Sequence, residues 1–376
     1  MSNPFRILVI GAYGTFGGWI AEGLMSVPGI SVIVGGRSRE RARNWVADHR
    51  GTGPGERPSA LAVDTERGGL AGILAASNID LVIHCAGPFQ EQGYEVAMAC
   101  IEARCHYIDL SDGRAFVSGI RTLNDAAREA GVALVSGASS VPGLSSAVVQ
   151  EYLPEFSRLD SIRMSISPGN QAPRGPATVE SVLSYTGQSF TRWEAGAWTR
   201  VHGWQDMRRC DYGDLGHRWV ASCNVPDLSL FPKHYEGVQT VTFHAGLELS
   251  FLHFGMWVLA WLARWRLVAS WRHYAKTLTA ASRVFEKMGS DCGGMLVELA
   301  GSDRQDKRLK ILWRLIARDG HGPRVPVTPS VVLAKRMASG DGPPPGAYPC
   351  IGLFTLEEFA RELGGLNVTQ QVIRME

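Results

Sequence analysis

The sequence predicts an α/β protein: an open parallel sheet wound by helices on both faces, then a second domain of mixed α+β structure. Three observations carry this. The chain has 376 residues, which suits two domains better than one. Over its first 137 residues, short apolar runs alternate with amphipathic stretches, as expected of parallel strands buried on both faces beneath covering helices. After Gly143 that rhythm stops, and strand-like and helix-like segments no longer alternate.

Taken in order, Arg6 to Ile10 is a short apolar run ending at Gly11, and Thr15 to Met25 follows with helical spacing. Ser31 to Gly35 reads as a second strand, after which Ser38 caps a helix running to about His49. Gly51 to Pro58 is a Gly/Pro loop, Ala60 to Val63 a third strand and Glu66 to Ala76 a helix. Asp80 to His84 is a fourth strand, Tyr94 to Ala103 helical, His106 to Leu110 extended, Ala115 to Ala130 helical, and Val132 to Val135 a sixth strand. Six such strands match the doubly wound dinucleotide-binding (Rossmann) fold. In the second domain Leu159 to Ser167, Val238 to His244 and Arg308 to Ala317 suit strands. Ala177 to Thr186, Met256 to Trp271 and Lys276 to Met288 suit helices. Asp341 to Pro349 reads as a linker, and Thr355 to Glu358 is a capping box opening a last helix.

The composition narrows the function. Basic and acidic side chains number 38 and 36, a net charge of +2, which argues against a nucleic-acid partner because such binding needs a strong basic footprint. The seven cysteines form no C-x-x-C pair, so they read as reduced thiols of a cytoplasmic protein, with no metal site expected. No run of 18 apolar residues is present, and the start of the chain lacks the features of a signal peptide. Only six lysines occur, the first at Lys233, which excludes lysine chemistry from the first domain.

The turn after the first strand reads Gly11-Ala12-Tyr13-Gly14-Thr15-Phe16-Gly17. Gly11 permits the tight turn, Gly14 lets backbone approach a pyrophosphate, and Gly17 lets the helix pack closely on the strand. The helix N-terminus then offers free N–H groups and a favourable dipole. At the end of the second strand, an NAD-dependent enzyme usually carries a carboxylate for the ribose 2′-hydroxyl. Here Gly36 is followed by Arg37 and Ser38, which suit a 2′-phosphate. NADP(H) is therefore expected over NAD.

Farther along come Cys85-Ala86-Gly87-Pro88-Phe89, Gly93, Ala99-Cys100, His106-Tyr107-Ile108-Asp109-Leu110, Ser136-Gly137-Ala138 and Val141-Pro142-Gly143. This ordered set resembles the NADP-binding domain of the saccharopine dehydrogenase (saccharopine reductase) family over about residues 5 to 150. The resemblance implies that the Cys85–Phe89 loop lies under the ribose and nicotinamide, with Gly137 in the same cofactor set. It implies that Asp109 faces the cleft from its strand end, and that Ser136 to Gly143 leads into the catalytic domain. It also implies that the C-terminal segment returns to the first domain. The expected organisation is thus residues 1–143 for the nucleotide, 144–345 for substrate and dimer contacts, and 346–376 packing back. Most of the family reduces C=N bonds in imine or opine substrates, and some members are trans-acting enoyl reductases.

Catalytic candidates are Tyr107 and Asp109, for their strand-end position, and His244, whose ordinary pKa suits proton transfer. Arg174, in a proline-flanked loop, and Glu180, on the helix after it, are the substrate-binding candidates. Trp257, Trp261 and Trp265 share a helical face, with Trp271 just beyond and arginines flanking. Such a stripe fits a core or subunit interface, a helix resting peripherally on a membrane, or a substrate wall. The expected activity is NADP-dependent hydride transfer to or from a C=N bond of a small molecule, in a homodimer. The alternatives are reduction of an activated C=C bond in a lipid-like substrate, and a dinucleotide sensor or scaffold without catalysis.

Overall fold

The computed structural model describes residues 3–49, 57–173 and 175–375. The chain opens with β1 (Phe5–Ile10), α1 (Thr15–Met25), β2 (Ile30–Gly36), α2 (Arg39–Asp48), β3 (Ser59–Ala62), α3 (Leu70–Ala76) and β4 (Leu81–His84). It continues through α4 (Glu95–Ala103), β5 (His106–Asp109), α5 (Arg114–Gly119), α6 (Asn124–Ala130) and β6 (Ala133–Ser136). Then come α7 (Ser145–Tyr152), β7 (Phe156–Ser167), α8 (Pro176–Tyr185), β8 (Ser189–Glu194), β9 (Ala197–His202), β10 (Arg208–Asp211) and β11 (His217–Ser222). Next are α9 (Asp227–His234), β12 (Thr240–Ala245), α10 (Ser250–Arg264), α11 (Ala275–Ser282), β13 (Gly293–Asp303) and β14 (Arg308–Ala317). The chain closes with α12 (Thr328–Ala338), β15 (Gly346–Pro349), α13 (Leu356–Glu362) and β16 (Val368–Met375).

Two compact units result, Met1–Leu144 with Pro326–Glu362, and Ser145–Val325 with Leu363–Glu376. In the first, seven strands run in the order β15-β6-β5-β4-β1-β2-β3, all pairings parallel. The chain moves outward from β1 in both directions, so a topological switch lies between β1 and β4. β2 and β4 are buried along their whole length, which is why they read as mainly apolar runs. Ser38 caps α2, its Oγ accepting from the Arg41 N–H at 3.2 Å.

The second unit is a mixed sheet in the order β10-β11-β12-β7-β13-β14-β16, with β8 and β9 extending from β12. Its pairings along that order are antiparallel except β12 with β7. Ile162, Met164, Val297, Leu299, Ile311 and Trp313 supply buried apolar side chains on its three longest strands.

Several expectations are corrected. The Asp341–Pro349 stretch contains β15, the edge strand of the first sheet, whose Ala347 N–H donates to Asn124 Oδ1 at 3.2 Å. The chain rejoins the first unit at Pro326, well before residue 346, and residues after Glu362 belong to the second. The tryptophan-bearing helix starts earlier than expected and stops at Arg264. The Ala115–Ala130 helix is split, with Ile120–Leu123 as a 3-10 turn between α5 and α6. The capping box at Thr355 is present, the Glu358 N–H donating to Thr355 Oγ1 at 3.1 Å and the Thr355 N–H to Glu358 Oε2 at 2.7 Å.

Candidate dinucleotide-binding site

β1 delivers Gly11 to the switch point at φ +86°, a left-handed conformation suited to glycine. A side chain there would press on the Cys85 and Ala86 backbone, so this glycine brings the loop after β4 close to the turn. Gly14 caps α1 with extended backbone and no side-chain hydrogen bond, and the first turn holds no acidic residue. Ala12 is buried beneath the turn, while Gly14 is exposed and Tyr13, Thr15 and Phe16 are half-buried. A Cβ on Gly17 would strike the Gly11 carbonyl, so α1 lies against the turn as a phosphate-binding helix must. An 11-residue helix with an uncapped, uncharged start in this position fits a dinucleotide pyrophosphate.

Tyr13 fills the space beside Gly36, where any side chain would overlap its hydroxyl. That hydroxyl accepts from the Ser38 N–H at 3.3 Å, and Arg41 lies over the Tyr13 ring, 4.5 Å from its centre. Arg37 is exposed, with Glu66 at 4.0 Å. The end of β2 therefore gathers Arg37, Ser38 and Arg41. The sequence analysis assigns Arg37 and Ser38 to the 2′-phosphate and leaves out Arg41; the aromatic residue in the glycine turn is the signal that it stacks inward.

The Cys85–Phe89 loop is held at several points. The Cys85 N–H donates to the Ile10 carbonyl at 2.9 Å. Gln92 Nε2 donates to the Ala86 and Pro88 carbonyls, each at 2.9 Å. Cys85, Ala86, Gly87 and Pro88 keep partial exposure, whereas Phe89 is buried against Phe116 and His84.

Asp109 ends β5 and is wholly buried. Its Oδ1 accepts from Ser111 N–H at 2.9 Å, Gly137 N–H at 2.9 Å and Ser136 Oγ at 3.0 Å. Burial pushes the carboxyl up to about 6, against the pull of those donors. Tyr107 is also buried; its hydroxyl lies 3.3 Å from His84 Nδ1. Burial raises the Tyr107 phenol well above its ordinary range and lowers His84 to about 4. The expectation of Asp109 facing a cleft is corrected: its carboxyl ties the end of β5 to the loop after β6. Gly137 belongs to the same knot, at φ +79°.

Residues 7–135 match the family model of the saccharopine dehydrogenase NADP binding domain. Those residues resemble that family's NADP-binding domain. Over 98% of the chain, the fold matches 99% of saccharopine dehydrogenase (L-Glu forming) from Saccharomyces cerevisiae, at a TM-score of 0.68 and 13% identity. Looser likenesses are a dehydrogenase from Thermotoga maritima (TM-score 0.48, 11% identity, 95% of this chain and 93% of that one) and amine dehydrogenase from Mycobacterium smegmatis (TM-score 0.46, 12% identity, 94% and 96%). No curated protein matches the chain. The fold is thus that of an NADP-binding, saccharopine dehydrogenase-like oxidoreductase.

Outside the NADP-binding domain, His244 is buried on β12, its Nε2 3.4 Å from Asp206 Oδ2. Burial lowers its pKa, with Asp206 opposing. Asp206 also accepts from Arg192 Nη1 at 2.6 Å and Arg208 Nη2 at 3.3 Å, and these partners hold its carboxyl well below the usual range, the His244 hydrogen bond foremost. His244 is therefore one corner of an internal charge network. Glu180 is half-buried on α8, and Arg174 lies outside the described residues. Among the described residues, the buried ring and amide nitrogens Trp204 Nε1, Gln205 Nε2, His253 Nε2 and Trp261 Nε1 of this unit lack hydrogen-bond partners, as does Arg314 Nε. Sequence reasoning missed the first three, because orphaned donors are a product of packing. Among the described residues no helix is long and apolar enough to cross a membrane.

Proposed function

We propose that the protein is an NADPH-dependent reductase of a C=N bond in a small imine or opine-type substrate. The observation that carries the cofactor half is the uncapped start of α1 above Gly11, Gly14 and Gly17, within a domain matching NADP-binding relatives. Thr15, Phe16 and Gly17 backbone N–H groups would hold the pyrophosphate. Arg37, Ser38 and Arg41 would hold the 2′-phosphate, Arg41 already oriented by Tyr13. The Cys85–Phe89 loop, pinned by Gln92, would seat the nicotinamide. When bound, NADPH supplies the hydride.

The C=N half rests on the family's chemistry and on the state of the acid–base candidates. Tyr107, Asp109 and His244 are all buried in internal hydrogen bonds. An iminium carbon takes up hydride with its nitrogen already protonated, so the protein need not donate a proton in that step. Reduction of a carbonyl or an activated C=C bond requires one. A chain whose acid–base candidates are locked inside suits the first case.

Two measurements test this. NADPH should quench intrinsic fluorescence at lower concentration than NADH; tighter NADH binding would defeat the 2′-phosphate assignment. NADPH consumption should then be followed with 2-oxo acids plus amines, and with enoyl thioesters. Turnover with the enoyl compounds alone would leave the cofactor reading standing and remove the C=N reading.

A further inference from the structure

The α10–α11 region of the second unit reverses the usual amphipathic arrangement. Of 12 large hydrophobic side chains exposed in the described chain, eight lie between Phe251 and Met288. On α10, Phe251, Phe254 and Val258 face outward, and Trp265 follows just past the helix end, 63% exposed. The one histidine of that helix, His253, faces inward and is fully buried, its Nδ1 accepting from the Leu247 N–H at 3.4 Å. No charged residue occurs from Ser250 to Ala263. Beyond the helix Leu267, Tyr274, Val284 and Met288 are exposed as well, Val284 at 77%. So many exposed large apolar side chains within one short segment, with Phe251 against Phe285 at a ring separation of 5.0 Å, mark a surface that something covers.

The charges of the segment identify the occupant. Residues 250–288 hold Arg264, Arg266, Arg272, Lys276, Arg283 and Lys287 against Glu286 alone, in a chain whose whole net charge is only +2. Arg266, Lys276, Arg283 and Lys287 are paired with no carboxylate among the described residues. Arg264 packs over Trp261, 4.8 Å from the ring centre, and donates to Gln205 Oε1 at 2.6 Å. Exposed Phe, Val, Leu and Met with Trp and Tyr among them, rimmed by cations, match the demands of a bilayer interface: acyl chains below, anionic headgroups around. A second copy of the same face fits badly, since a two-fold contact would set six cations against six. The 15 residues of α10 span only about 22 Å, too short to cross a bilayer, so the helix would lie in the plane of the membrane.

We infer that the α10–α11 face docks the protein on a membrane surface containing anionic lipid. The inference is independent of the cofactor assignment. The test uses the full chain with vesicles of phosphatidylcholine alone and of phosphatidylcholine mixed with phosphatidylglycerol. Co-sedimentation should be strong with the mixed vesicles and weak with the neutral ones, and brominated acyl chains should quench tryptophan emission. The double variant Val258→Glu/Leu267→Glu should lose vesicle binding. Lys276→Gln/Arg283→Gln should bind about thirtyfold more weakly, from roughly fivefold per cation. Both variants alter exposed positions, and circular dichroism melting confirms that they fold. Three results would overturn the inference: no association of the parent with mixed vesicles, binding unchanged in both variants, or a solution dimer that Val258→Glu/Leu267→Glu separates into monomers.

Discussion

Single atoms decide how the glycine turn works. A methyl group on Gly17 would meet the Gly11 carbonyl and Ala12 Cα, both backbone and neither free to swing away. Gly17→Ala should therefore push α1 off the turn at a cost of about 1–3 kcal/mol and weaken NADPH by at least about tenfold. A fluorescence titration checks this, and unchanged affinity would sink the pyrophosphate assignment. Asp109 makes a different prediction. Its carboxyl is raised from 3.8 to about 6 in the fold, so the folded protein holds that proton more tightly than the unfolded chain. The stabilisation this provides is complete below the unfolded value and is lost as pH rises through about 6. Asp109→Asn lacks it, so between about pH 7.5 and about pH 4 the variant should lose up to about 3 kcal/mol relative to the parent. Urea unfolding at the two pH values measures the difference, and a constant or opposite difference contradicts the raised carboxyl. Nothing in the sequence separates this buried aspartate from a catalytic one. His106 to Leu110 shows where the strand ends; burial depends on Ser111, Ser136 and Gly137 closing over it.

At the level of elements, α2 joins two functions at one end. Ser38 caps the helix, and Arg41 in its first turn lies over Tyr13. Ser38→Ala should cost about 1 kcal/mol through the lost cap. Arg41→Glu should instead weaken NADPH by about tenfold to a hundredfold while sparing NADH, because it removes a charge-assisted contact to the 2′-phosphate. Equal losses for both nucleotides would mean that Arg41 only props the turn. The elements legible in the sequence were those whose environment is uniform. β1, β2 and β4 are buried over most or all of their length and show it as short, mainly apolar runs. β8 to β11 were missed because they carry Arg192, Glu194, Arg200, Arg208 and Arg209 on partly exposed strands, where a regular alternation is lost. β15 looks like linker in the sequence because Gly346, Ala347 and Pro349 have little strand propensity, and pairing with β6 overrides it. The tryptophan stripe was seen, but which face of α10 points outward depends on His253 turning inward.

Across the whole molecule the chain passes from one unit to the other three times, after Leu144, after Val325 and after Glu362. The last passage carries β16 to the second sheet, where eight of its residues pair with β14 and Gln370 Oε1 accepts from Trp313 Nε1 at 3.2 Å. A chain ending at Gly365 should expose the β14 edge and self-associate, visible as a rise in light scattering. A monodisperse truncated protein would show that the edge is protected in some other way. The first unit's reliance on late residues also bears on its birth at the ribosome. β6 ends at residue 136, and the strand that covers its edge begins at residue 346. At about 5–20 residues per second, that leaves a nascent sheet with a bare parallel edge for roughly ten to forty seconds. During this interval a chaperone has reason to hold the nascent chain, and abrupt overexpression should favour inclusion bodies over slow growth in the cold.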